Sequence, residues 1–132
     1  MTAPVVLDAS VLISYLEPSN DLHEEAIALI LATLGMPRRI HALTFAEVLV
    51  GAVRKGQEQK VDDATRGNLG CRVLGDGGDS WPLHLARVRA RTRLKMPGAV
   101  VLAAALEIGG QVATFDEALR AAARSEGALF EG

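Results

Sequence analysis

Short apolar runs alternate with longer amphipathic segments along this chain of 132 residues. The short runs are rich in β-branched residues and predict buried strands at 5–7, 39–43, 71–74 and 111–114, with a final edge strand at 128–130. Apolar residues at helical spacing predict helices at 11–16, 21–34, 44–55, 81–93, 97–108 and 116–124, and the polar stretch 57–68 is also helical. Strands that alternate with helices predict a parallel sheet with helices on both faces, a three-layer α/β/α sandwich.

Breaker and cap residues set the expected boundaries of these elements. Pro18 ends the first helix after Glu17, because proline disfavours helical backbone at the preceding residue. Thr44 and Glu47 have the spacing of a capping box, and so have Asp21 and Glu24 in front of the second helix. The glycine-rich stretch 75–79 is expected to be a loop.

Composition indicates a single domain, residues 1–132, with a core of aliphatic side chains. Hydrophobic residues make up 49% of the chain and aromatic residues only 4%. One cysteine, Cys71, excludes an internal disulfide and favours the cytoplasm. No basic stretch followed by an apolar run marks a secretory signal. The longest apolar run, 96–106, is too short to span a membrane, so no membrane association is expected.

Three acidic residues stand beside apolar runs far apart in the sequence. Asp8 follows the strand at 5–7, Asp116 follows the strand at 111–114, and Glu47 follows the strand at 39–43. Ligands of open α/β sheets bind outside the carboxyl ends of the strands, and carboxylates brought together there repel unless a cation or a proton neutralises one. Oxygen ligands suit Mg²⁺ or Mn²⁺, so the pattern predicts a divalent-metal site.

Each acid also has a purely structural explanation. Asp8 and Asp116 precede helices and can cap them, and Glu47 can be the acid of the capping box. If all three are caps, the chain is a non-catalytic α/β binding module. Phosphoryl transfer to Asp8 is a further alternative, which the absence of a second aspartate at position 10 and of a well-placed lysine disfavours.

Glycine is an unfavourable residue for the helix predicted at position 98. It follows Pro97 at the start of a strongly apolar predicted helix. Glycine inside a helix costs roughly 1 kcal/mol relative to alanine. An acid in the first turn would instead interact favourably with the helix dipole. Such a local conflict calls for an explanation.

Basic residues concentrate just before Gly98, although the net charge of the chain is −2. Arg91, Arg93 and Lys95 lead into the corner at Pro97. Arginine is suited to bidentate contact with phosphate, so these side chains are candidates for binding RNA. A solvated helix face explains the same pattern.

Three segments, taken together, resemble a known family. They are Val5-Val6-Leu7-Asp8-Ala9-Ser10, Thr44-Phe45-Ala46-Glu47-Val48-Leu49-Val50-Gly51 and Gln111-Val112-Ala113-Thr114-Phe115-Asp116. Their order and spacing resemble the acidic motifs of the PIN-domain ribonucleases, and within that group the chain is most similar to the VapC toxins of bacterial toxin–antitoxin pairs. The resemblance covers essentially the whole chain.

This resemblance implies a parallel-sheet α/β/α fold and an endoribonuclease that depends on Mg²⁺ or Mn²⁺. It also implies a homodimer, neutralised by a small antitoxin that inserts a segment near the site. The metal-site acids would be Asp8, Glu47 and Asp116, with Ser10 and Thr114 as supporting polar groups. Gly98 stands where the family usually carries an aspartate. We therefore expect a weak or silent nuclease, whether that glycine is natural or introduced.

The apolar residues of 11–16 and 22–34 have two interpretations. A groove between the two predicted helices would suit an amphipathic segment of a partner. Ordinary packing of the core accounts for the same residues.

Overall fold

A computed structural model of the chain describes residues 2–75 and 77–132. Asp76, in the predicted loop at 75–79, lies outside the described residues. The strands form one parallel sheet in the order β3-β2-β1-β4. They are β1 (Val5–Leu7), β2 (Arg38–His41), β3 (Arg72–Leu74) and β4 (Gln111–Ala113).

Helices connect the strands and cover both faces of the sheet. They are α1 (Ala9–Leu16), α2 (His23–Ala32), α3 (Ala42–Arg54), α4 (Glu58–Asp62), α5 (Trp81–Thr92), α6 (Met96–Ile108) and α7 (Glu117–Ser125). The chain after α4 continues as a π-helical segment, Asp63–Asn68. None of the helices in the described ranges is long and apolar enough to span a membrane.

Alternate residues of β1 divide the core into two layers. Val6 packs with α5, α6 and α7, whereas Val5 and Leu7 pack with α1, α2 and α3. Successive side chains of a strand point to opposite faces, so a fully buried strand must be apolar at every position. The predicted three-layer α/β/α sandwich is confirmed.

The order of the strands places a switch point between β1 and β4. The chain adds β2 and β3 on one side of β1 and then returns to add β4 on the other. Leu7 is in register with Ala113, so Asp8 and Thr114 both follow the last residue of their strands at the same edge. A crevice at such a point is the usual ligand site of an open α/β sheet.

The capping box predicted at Thr44 and Glu47 is wrong. Strand β2 ends at His41, and α3 begins immediately at Ala42, so Thr44 already lies in the first turn. His41 is the N-cap, and its Nδ1 accepts a hydrogen bond of 3.1 Å from the amide of Leu43. Histidine is not a preferred N-cap residue, which is why the sequence pattern pointed to the wrong position.

The second helix is shorter than predicted at both ends. It begins at His23 without a side-chain cap, and it ends at Ala32 rather than at 34. Asn20 instead accepts a hydrogen bond of 2.9 Å from the amide of Leu22 in the preceding turn. The predicted edge strand at 128–130 is reduced to one parallel bridge between Val112 and Leu129.

Helix α6 occupies the centre of one layer. Its seven consecutive residues from Ala99 to Ala105 are all buried, because the helix contacts strands β1, β2 and β4 as well as helices α3, α5 and α7. A helix surrounded in this way needs apolar residues on every face. The position of α6 also fixes its first turn, and hence Gly98, beside the carboxyl edge of the sheet.

Replacing Leu102 by alanine tests this central role. The side chain is fully buried, so we expect Leu102→Ala to lower the free energy of unfolding by about 3 kcal/mol. Leu43→Ala is the matched control, because Leu43 is 56% exposed and its loss should change stability by less than about 0.5 kcal/mol. Urea unfolding measures both, and equal effects would contradict the assignment of α6 to the core.

Candidate functional site

Asp8 is held by two hydroxyl groups from different parts of the chain. Its Oδ2 accepts hydrogen bonds from Ser10 Oγ at 2.8 Å and from Thr114 Oγ1 at 2.7 Å. Asp8 occupies the N-cap position of α1, but its side chain makes no capping hydrogen bond. The capping explanation therefore fails for this acid. Because both hydrogen bonds use Oδ2, Oδ1 remains available to a ligand.

The same two hydroxyl groups also hold the segment that follows β4. Thr114 Oγ1 accepts from the amide of Asp116 at 3.0 Å, and Ser10 Oγ accepts from the amide of Phe115 at 3.1 Å. Thr114 is almost completely buried, whereas Ser10 and Phe115 are partly exposed. The hydroxyl groups predicted as supporting groups thus connect the ends of β1 and β4 and fix Asp8 relative to Asp116.

Asp116 combines a structural role with a place in the site. Its Oδ2 accepts a hydrogen bond of 2.9 Å from the amide of Leu119, which caps α7. The capping explanation is correct for this oxygen. The residue nevertheless lines the same cleft as Asp8, and its second carboxylate oxygen is not used by the cap.

Glu47 extends toward Asp8 from the second turn of α3. It takes no part in capping that helix, since the N-cap is His41. Partial burial raises the pKa of the Glu47 carboxyl, and the negative charge of Asp8 raises it further. Two carboxylates that repel each other are the electrostatic arrangement that a cation would relieve.

These acids line one cleft of about 530 Å³. Its lining residues are Asp8, Ala9, Ser10, Glu47, Arg93, Leu94, Lys95, Pro97, Gly98, Asp116, Ala118 and Leu119. All three predicted metal-site acids are present, together with Ser10 and two of the three predicted RNA-binding residues. Thr114 lies beneath the surface, where it supports the acids.

Arg91 does not reach the cleft. Its guanidinium forms two hydrogen bonds with the carboxylate of Glu126, at 3.0 and 2.9 Å. This interaction raises the pKa of Arg91 and lowers that of Glu126. The prediction of an RNA-binding role for Arg91 treated the basic run as one surface, whereas the structure directs this side chain toward the residues that follow α7.

Nothing in the packing requires glycine at position 98. A Cβ added to Gly98 would lie 3.8 Å from Leu94 Cδ2 and 4.0 Å from Leu119 Cβ, which is ordinary van der Waals contact. The residue has no positive φ that would favour glycine. Helix α6 has no acid in its first turn, and its N-cap residue, Lys95, makes no side-chain capping hydrogen bond.

The donor set suits a hard divalent cation. In the part of the chain that the structure describes, no group of three or more His, Cys, Asp or Glu side chains lies close enough together to hold a metal ion by itself. Mg²⁺ does not require one, since it commonly keeps several waters and binds through one or two carboxylates and the phosphates of a substrate. The free oxygens of Asp8 and Asp116 and the facing carboxylate of Glu47 fit that requirement.

Sequence comparison identifies the family to which this site belongs. Residues 5–125 match the profile of the PIN domain. The chain belongs to the PIN domain family. No curated protein sequence was found to match it.

Several solved structures share this fold. A toxin–antitoxin complex from Klebsiella pneumoniae has a chain 26% identical to this one, with a TM-score of 0.65 over 85% of this chain and 86% of that chain. Mycobacterium tuberculosis VapC20, described as a toxin that cleaves the sarcin-ricin loop, is 13% identical, with a TM-score of 0.73 over 97% and 98%. FitAcB from Neisseria gonorrhoeae is 19% identical, with a TM-score of 0.70 over 91% and 93%.

Sequence reasoning missed two features of the cleft in this PIN domain. Leu94 and Leu119 form apolar walls, and no local pattern distinguishes them from ordinary core residues. The backbone of Arg93 is left-handed, with φ of 62°. Arginine carries no signal for that conformation, so only the three-dimensional structure reveals it.

The hydroxyl of Thr114 should contribute measurably to stability. We expect Thr114→Val to lower the free energy of unfolding by about 2 kcal/mol, because it removes a hydrogen bond to a carboxylate and one from an amide while keeping the side-chain volume. Thr65→Val is the control. Thr65 is equally buried, but its hydroxyl has no hydrogen-bond partner among the described residues, so the change should be neutral or stabilising. Equal losses in chemical denaturation would contradict the role of Thr114.

Proposed function

We propose that this PIN domain is a VapC-type toxin, a metal-dependent endoribonuclease that hydrolyses RNA phosphodiesters in the cytoplasm. The proposal takes residues 1–132 as one PIN-like domain. Its main support is the convergence of Asp8, Glu47 and Asp116 on one cleft at the switch point between β1 and β4.

Asp8, Glu47 and Asp116 would hold Mg²⁺ or Mn²⁺ in this cleft. When bound, the ion supplies charge that polarises the phosphate, lowers the pKa of a water and stabilises the leaving oxygen. Ser10 and Thr114 keep Asp8 in a fixed rotamer through their hydrogen bonds to Oδ2. Asp116 is kept in place by its bond to the amide of Leu119.

Glu47 is suited to accept a proton from the attacking water. A carboxylate has two oxygens, so Glu47 can contact the ion through one of them and take the proton of the water with the other. The water oxygen forms a bond to phosphorus, its proton passes to the Glu47 carboxylate, and the bond from phosphorus to the leaving sugar oxygen breaks. That oxygen takes up a proton from solvent.

Gly98 would weaken this centre. A carboxylate at this position would add a fourth acid to the lining of the cleft, and the space around Gly98 would accept its Cβ. Without it, the site has one ligand and one negative charge fewer. Metal affinity and turnover should both be lower than in a site with four acids.

The proposal also includes two binding partners, which are an antitoxin and a second copy of the chain. The similarity to a chain of a toxin–antitoxin complex supports an antitoxin as partner. A groove of about 350 Å³ between α1 and α2 is lined mainly by apolar side chains, together with Tyr15 and His23, and would accept a segment of it. Leu31, on this groove, is 58% exposed. The homodimer rests on the resemblance to VapC toxins.

A non-catalytic PIN-fold module that still binds its antitoxin is the second candidate. The missing acid at position 98 favours it, because among the described residues no group of three or more His, Cys, Asp or Glu side chains lies close enough together to hold a metal ion by itself. Metal binding distinguishes the two functions. A site that takes up Mn²⁺ through its carboxylates supports the nuclease, and a chain without such uptake supports the binding module.

Asp8→Asn tests the metal site directly. The asparagine keeps the size of the side chain but removes its charge, so we expect at least a tenfold loss of Mn²⁺ affinity in isothermal titration calorimetry, on the order of the effects seen at metal sites. Any RNA cleavage should disappear as well. Asp21→Asn, at an exposed position before α2, is the control and should bind Mn²⁺ as the unchanged protein does. Unaltered binding by Asp8→Asn would exclude Asp8 as a ligand.

Gly98→Asp tests the explanation for weak activity. We expect tighter Mn²⁺ binding and faster cleavage of structured RNA, because the substitution adds a carboxylate without a steric clash. Gly98→Asn is the control for side-chain size and should produce neither gain. Thermal unfolding should show Gly98→Asn to be at least as stable as the unchanged protein, since glycine is the poorer helix former, whereas Gly98→Asp should reach that stability only with Mn²⁺ bound, because its carboxylate is repelled by the other acids of the cleft. Equal activity of Gly98→Asp and the unchanged chain would refute this account of Gly98.

A further inference from the structure

Arg93 adopts a backbone conformation that normally favours glycine. It closes α5 in the left-handed region, with φ of 62°, and its amide donates a hydrogen bond of 2.8 Å to the carbonyl of Arg89. Among residues 2–75 and 77–132 it is the sole non-glycine residue with positive φ. Gly109 fills the equivalent position at the end of α6, as helix geometry prefers. Arginine at this position therefore carries a conformational cost.

The Arg93 side chain forms no polar interaction among the described residues that would offset this conformational cost. Arg91 pairs with Glu126, and Arg89 donates to the carbonyl of Leu94 at 3.2 Å. Within the described ranges Arg93 makes neither an ion pair nor a side-chain hydrogen bond, and the same holds for Lys95. Backbone strain that stabilises no internal contact is typical of positions kept for function.

Two cavities meet at Arg93. One is the acid-lined cleft, and the other, of about 420 Å³, lies along the flank of α5 beside Ala86, Arg89 and Met96. Arg93 and Leu94 line both. Because they share these two lining residues, the two cavities are neighbours on the surface, and we refer to them together as the track.

The charges along this track match a phosphate backbone. The cleft contains three acids, which repel phosphate unless cations are near. Arg93 and Lys95 provide positive charge at its rim, and Arg89 provides it further along α5. A planar guanidinium binds phosphate through two parallel hydrogen bonds, and a basic groove that follows the strand is the usual site for single-stranded nucleic acid.

We propose that the RNA strand leaves the acid cleft across Arg93 and continues along the flank of α5, with a backbone phosphate bound by the Arg93 guanidinium. This inference rests on the proposed ribonuclease function and adds a substrate-binding residue and a direction for the strand. Arg93 is both the residue with the left-handed backbone and a lining residue of both cavities.

Three substitutions of Arg93 separate its charge from its strain. Arg93→Gly removes both, Arg93→Gln removes the charge alone, and Arg93→Lys keeps both. Arg87→Gln is the matched control, because Arg87 is an exposed arginine of the same helix that lines neither cavity. The probe is a fluorescein-labelled single-stranded RNA octamer with Mg²⁺, read by anisotropy before cleavage is detectable.

We expect Arg93→Gly and Arg93→Gln each to weaken RNA binding by about tenfold and to reduce the salt slope by about 0.7, the contribution of one phosphate contact. Arg93→Lys should retain most of the affinity and the full slope, and Arg87→Gln should change neither. In thermal unfolding Arg93→Gly alone should raise Tm, by about 2–5 °C, because glycine relieves the strain.

Several results would overturn the proposal. Unchanged affinity and salt slope in Arg93→Gln, with RNA still bound by the unchanged protein, would remove Arg93 from the RNA path and leave the proposed function intact. No RNA binding by the unchanged protein would overturn both. Binding of a polyglutamate peptide with the same dependence on Arg93 would reassign the track to an acidic protein partner. A Tm of Arg93→Gly no higher than that of the unchanged protein would refute the strain.

Discussion

The hydrogen bonds of the Thr114 hydroxyl connect the parts of the molecule on which the site depends. This one buried group donates to the carboxylate of Asp8 and accepts from the amide of Asp116, so it joins the carboxyl ends of β1 and β4. Because β4 is the strand that the chain adds after reversing direction across β1, the hydroxyl lies at the switch point of the sheet. A crevice forms there in any open α/β sheet, and Thr114 fixes which carboxylates face it.

The acidic and basic side chains that line this crevice do not neutralise one another. Burial and the negative charge of Asp8 both raise the pKa of Glu47, while Arg93 and Lys95 line the cleft without an ion pair among the described residues. Acids inside and cations outside suit a complex in which a metal ion lies between carboxylates and phosphate. With Gly98 the crevice has one negative charge fewer than it would have with an acid at this position, and packing does not require glycine there.

Much of the fold was predictable because it depends on local periodicity. The apolar triplet of β1 and the continuous apolar sequence of α6 require burial on all sides, and the structure gives both elements that environment. Helix starts were less predictable. Thr44 and Glu47 have the spacing of a capping box, yet the N-cap is His41, because the strand ends there and a buried imidazole stacked on Trp81 takes the amide hydrogen bond.

The sequence by itself determined the α/β class, the acids that follow the strands, and the anomaly at Gly98, since each depends on residue type and short spacing. Tertiary structure alone decided which acids cap and which face the cleft: Asp116 does both, and Asp8 only the second. It also separated Arg91, paired with Glu126, from Arg93 at the cleft. The physical reason is that side-chain direction depends on backbone dihedral angles and on partners distant in sequence, neither of which a local pattern contains.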